Sequence, residues 1–120
     1  MKIFFITLIL NLMVSNISYA QSFIEGMEDI PLAPNLLQIE TQNFTFGNEE
    51  TRIIEAYFES EKTTAAKVES FYLDSLTQLG WVFKGKHKNI LTFERNQEEL
   101  DIITEGIKPL VIRVTLTGRP

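Results

Sequence analysis

One stretch with a helical apolar stripe, set among runs of period two, limits what this chain can fold into more than any other feature. Val68, Phe71, Tyr72, Leu76 and Leu79 recur at spacings that trace one face of an α-helix, while Glu69, Asp74 and Gln78 fall elsewhere on the cylinder. Thr63 or Thr64 supplies an N-cap. Gly80 ends the helix, and Trp81 is the apolar residue expected after a left-handed glycine cap. A single amphipathic helix covers one face of one sheet, so the strands around it must form a single layer against it.

The strand runs are short and separated by turn residues. Thr51 to Glu59 puts Ile54, Ala56 and Phe58 on one face and Ile53, Glu55 and Tyr57 on the other. After the helix come Trp81 to Lys84, Ile90 to Arg95, Glu99 to Thr104 and Leu110 to Leu116. The last run alternates strictly, with Leu110, Ile112, Val114 and Leu116 against Val111, Arg113 and Thr115, which is the period of a half-buried strand. The expected fold is α+β. It is a two-layer sandwich with one helix on an antiparallel sheet, in the order strand, helix, then four strands, after an extended N-terminal segment.

That segment, residues 21–50, precedes the α+β domain expected over 51–120. Pro31 and Pro34 remove backbone donors and push their predecessors towards extended geometry. Ile30 to Pro34 therefore reads as an ordered extended piece that holds apolar side chains against the domain. Gln38 to Phe46 alternates well enough for a short strand, and Gly47 to Glu50 reads as a turn.

Residues 1–20 read as a secretory signal peptide. Met1 and Lys2 give a positive start, Ile3 to Val14 is apolar apart from Asn11, and Ser18 and Ala20 are the small residues before a cleavage site at Ala20/Gln21. A spanning helix needs about 20 apolar residues, so no stable membrane anchor is expected after cleavage. The expected location is periplasmic or secreted. With no cysteine, the exported domain has neither a disulfide nor a lipidated cysteine and relies on its core. Of the 11 Lys and Arg, Lys2 leaves with the leader, so 10 cations stand against 16 carboxylates, a net charge of −6. Such a charge favours solubility and disfavours nucleic acid, whose phosphates demand clustered cations.

No catalytic constellation is visible. His87, the one histidine, lies in the basic run Lys84 to Lys88 and reads as a solvated turn without a partner to orient it. Glu98, Glu99 and Asp101 lack the spacing of a calcium loop and read as a charged strand face. Ser60, Ser70 and Ser75 lack a nucleophile elbow, and the glycines are scattered at turns rather than gathered in a phosphate loop. A glycosidase pair cannot be chosen among 13 glutamates. The sequon Asn43-Phe44-Thr45 bears only on a eukaryotic secretory route. No cofactor or metal is expected.

Three short patterns carry a resemblance. Asp29 to Leu36, Phe71-Tyr72 with Leu76 to Trp81, and Phe93-Glu94-Arg95 with Glu99-Leu100 resemble the D-[IV]-P-L-x-P-G-L, F-Y…L-x-x-L-G-W and F-x-R…E-L motifs of an uncharacterised family of small exported bacterial envelope proteins. Asn35 stands where that pattern has glycine. The resemblance implies a compact periplasmic α+β domain and transfers no site residues. The helix followed by Leu-Gly-Trp is also similar to small outer-membrane assembly lipoproteins, a likeness at the level of fold alone.

The function expected from these features is a non-enzymatic module that binds a protein partner in the envelope, through an exposed sheet edge or the 21–37 segment. The alternative is a small-molecule or peptide binder with a pocket between helix and sheet, lined by Tyr57, Tyr72, Trp81 and Phe83. Tyr57, Tyr72, Trp81 and His87 are the candidate surface residues. An enzyme using His87 or a glutamate pair is the third reading.

Overall fold

The computed structural model describes residues 22–46 and 51–118. The leader and its cleavage site at Ala20 and Gln21 lie outside the described residues.

One helix packs on a six-stranded antiparallel sheet. The elements run β1 (Phe23–Ile24), β2 (Met27–Pro31), β3 (Leu37–Phe46), β4 (Thr51–Ser60), α1 (Ala65–Gln78), β5 (Val82–His87), β6 (Ile90–Arg95), β7 (Glu98–Glu105) and β8 (Leu110–Gly118). The sheet order is β3-β4-β8-β7-β6-β5, and β1 and β2 form a separate ribbon. The closing strand β8 thus inserts between β4 and β7, with Ala56 opposite Val114 and Ile102 opposite Val114 from the other side.

Alternation decides which sheet face is buried. Ile54, Ala56 and Phe58 of β4, Leu100 and Ile102 of β7, and Ile112 and Val114 of β8 point to the core. There they meet Val68, Tyr72 and Leu76 from α1. The helix begins where Thr64, in extended geometry, accepts the Lys67 amide on its side chain. It ends in a Schellman motif: the Trp81 amide donates to the Leu76 carbonyl at 3.0 Å and the Gly80 amide to the Thr77 carbonyl at 3.3 Å. Gly80 sits at φ 93°, as its cap position requires.

The N-terminal segment is part of the same core. Ile24, Met27, Ile30, Ala33 and Leu36 are buried in one cluster with the sheet and the helix. The apolar side chains of the extended segment from Ile24 to Leu36 thus share one core with those from Ile54 to Leu116. Tyr72 fastens the two parts, since its hydroxyl donates to the Pro31 carbonyl at 2.9 Å and accepts the Ala33 amide at 3.3 Å. Arg95 is a second fastening. It pairs with Asp29 of β2, lies 4.3 Å from the centre of the Trp81 ring and donates to the Leu79 carbonyl at 3.4 Å. Asn35 has φ 66°, a left-handed conformation that asparagine tolerates better than most residues, where the resembling pattern has glycine.

β3 matches the strand read over Gln38 to Phe46 with Leu37 added, and it pairs with β4 along its length. One boundary differs from the sequence reading. β5 runs on through Gly85 to His87, because a bulge between Phe83 and Gly85, with Gly85 at φ 133°, lets the strand continue. The turn to β6 is then only Lys88-Asn89.

Candidate functional site

The two edges of the sheet are unlike. β5 carries Lys84 and Lys86 on a strand bent by a glycine bulge, features that discourage a further strand from pairing. β3 has neither lysine nor proline, and Glu40 is the one charge in its sequence. Leu37 and Ile39 are 67% and 54% exposed. A bulge between Gln38 and Glu40 leaves Ile39 outside the ladder to β4.

Surface depressions flank the first half of this edge. One, about 520 Å³, is lined by Asn35, Leu36, Leu37, Glu59 to Lys62 and Pro109. Another, about 420 Å³, is lined by Glu25, Gly26 and Gln38 to Thr41. The ribbon fixes the wall of the second. The Gln38 side chain accepts the Glu25 amide at 3.0 Å and donates to the Glu25 carbonyl at 2.9 Å, and Thr41 Oγ1 donates to the same carbonyl at 3.2 Å. Gly26, at φ 94°, permits this approach, because a Cβ there would stand 2.8 Å from Thr41 Cγ2. The ribbon thus reaches β3 through side chains, and among the described residues the ladder of β3 is formed with β4 alone. An extended peptide laid along Leu37–Thr41 would find unpaired strand backbone, two exposed apolar side chains and a hollow on either side.

The residues singled out from the sequence do not gather into one surface. Tyr72 and Trp81 are core residues, 0% and 2% exposed, and cannot line an open site. Tyr57 lies on the opposite face of the sheet from the helix, where its hydroxyl donates to Glu55 Oε2 at 2.8 Å. Phe83 is half-exposed at the β5 edge, its ring 5.3 Å from that of Phe93. Among the described residues the core side chains between helix and sheet include Tyr72 and Trp81 themselves, packed with Phe58, Val68, Leu76 and Phe93. His87 is exposed at the end of β5, opposite Ile90 in the ladder.

The open face of the sheet has its own electrostatics. Glu94 and Glu99 stand directly opposite each other on β6 and β7, and Asp101 follows on the same face with Thr92 donating to it at 2.8 Å. Partial burial, with the charges of Asp101 and Glu94, raises the Glu99 carboxyl above its ordinary value. The hydrogen bond to Glu55, with partial burial, raises the Tyr57 phenol. Burial raises the Tyr72 phenol further, against the opposing bond from Ala33. A small hollow of about 90 Å³ between Tyr57, Ile103, Glu105, Val111 and Arg113 lies on this face. Among the described residues no group of three or more His, Asp and Glu is placed to hold a metal ion. No helix among them is long and apolar enough to cross a membrane.

Comparisons with family models, with curated proteins and with solved structures find no match to this chain. The functional reading therefore rests on the geometry of the edge. The sequence showed β3 as a strand through its alternation. It did not show that β3 is the edge, because that follows from β8 pairing with β4 on the other side.

Proposed function

We propose that this protein is an exported, non-enzymatic interaction module that takes up an extended segment of a partner protein along β3. The observation that carries the reading is the contrast between the edges: β5 is charged and bulged, whereas β3 offers exposed Leu37 and Ile39 beside open hollows. Export rests on residues 1–20, with their positive start, apolar run and small residues before Gln21. The resemblance of Asp29 to Leu36 and of Leu76 to Trp81 to small envelope proteins supports the same location.

The test is a pull-down of the mature protein, tagged at its C-terminus, from native envelope, read by mass spectrometry alongside an Ile39→Lys variant. A partner captured by the parent protein and lost from the variant supports the reading. Equal capture by both removes β3 as the site. Because Ile39 is exposed and outside the ladder to β4, the substitution leaves the core intact.

A further inference from the structure

The edge groove carries a charge pattern of its own. The two depressions along β3 are lined by four carboxylates, Glu25, Glu40, Glu59 and Glu61, against the single cation Lys62. The spacing of two of them suits an added strand. Leu37 is opposite Glu59 and Glu40 is opposite Tyr57, so Glu59 and Glu40 sit at levels two residues apart on the open face of the sheet. Side chains on one face of a strand repeat every two residues, about 6.8 Å. Cations at alternate positions of a segment paired to β3 would therefore fall level with Glu40 and with Glu59. The second lies one strand further in, within reach of a long Lys or Arg stem.

We infer that the segment seated along β3 is basic as well as extended: an alternating strand whose Lys or Arg side chains lie on the open face, their stems over Leu37 and their charges at Glu40 and Glu59, while its alternate side chains turn to the face of Gln38 and Thr41. This rests on the edge reading above and narrows it to a partner chemistry. The net charge of −6 on the chain without its leader acts in the same direction, since it steers cationic segments towards the domain and repels acidic ones.

The test uses three capped ten-residue peptides that alternate valine with lysine, with glutamate or with serine, titrated into the isotope-labelled protein and read by backbone amide shifts. The lysine peptide is expected to shift the amides of Leu37 to Gln42 and to bind about tenfold tighter than the glutamate peptide, the effect of a few rim charges. The preference is expected to shrink as salt is raised. Combining Glu40→Lys with Glu61→Lys, both at exposed positions, is expected to invert it. Equal binding of all three peptides on β3 overturns the basic partner and leaves the edge reading standing. Tighter binding of the glutamate peptide, or shifts of the lysine peptide gathered at Glu94, Glu99 and Asp101, also overturns it. If no peptide shifts β3, both readings fall.

Discussion

Replacing Tyr72 by phenylalanine removes one oxygen from the centre of the structure, and its cost follows from what that oxygen touches. The hydroxyl is fully buried, donates to the Pro31 carbonyl at 2.9 Å and accepts the Ala33 amide at 3.3 Å. The ring keeps its packing in the variant, so the loss comes from two backbone groups left without a partner. A buried group so orphaned costs about 1–3 kcal/mol, partly offset because the hydroxyl no longer needs to be desolvated. A net loss of about 2–3 kcal/mol is expected, a large part of the roughly 5–15 kcal/mol that holds a small domain together. Urea unfolding should show the midpoint falling with the slope unchanged, and Tm dropping by about 8–20 °C. The alkaline limb gives a second reading. Burial raises the phenol above its ordinary value of 10.0 in the folded state, so below that value it is neutral in both states. As pH rises past it the unfolded chain ionises first and stability falls. The variant should lack this loss. A stability change under about 0.5 kcal/mol would refute the view that Tyr72 fastens the N-terminal ribbon to the helix.

Three further outcomes are expected. Arg95→Lys keeps the charge but loses the planar group over Trp81 and the fork between Asp29 and the Leu79 carbonyl. It should cost about 1 kcal/mol in thermal unfolding and shift the emission of the single tryptophan. Glu99→Gln should stabilise the protein at neutral pH by about 0.3–1 kcal/mol, because it removes a like-charged cross-strand pair with Glu94. The folded state holds the Glu99 proton more tightly than the unfolded chain, so this gain should be absent below its ordinary value of 4.5 and grow as pH rises through the raised folded value, as followed by unfolding at several pH values. Asn35→Val should cost about 1–2 kcal/mol in urea unfolding, since a β-branched residue resists φ 66°, while Asn35→Gly should change stability little.

What could be read from the sequence was what is decided locally. The helix was legible from Thr64 to Trp81 because its stripe, its N-cap and its glycine cap all lie within the element. β8 was legible from its strict alternation, and β6 from its flanking turns. The ribbon was not, because Ile24, Met27 and Ile30 match neither a helical stripe nor a strict alternation; a turn through Gly26 brings them all into the core. The full burial of Tyr72 is not legible either, because a buried phenol needs a hydrogen-bond partner. The chain supplies that partner from Ala33 and Pro31, 39 and 41 residues away, a distance over which composition and periodicity carry no signal. The candidate site is of the same kind. The alternation of β3 is local, but its position at the edge depends on the long-range pairing of β4 with β8.

The most direct test of strand uptake along β3 exploits the lack of cysteine in the chain. Ile39→Cys on the β3 edge and Val82→Cys on the β5 edge, 54% and 60% exposed in the parent protein, would each carry a short photo-crosslinker into native envelope. The account predicts a discrete crosslinked species from position 39 and none from position 82. The same species from both positions, or from position 82 alone, would contradict it.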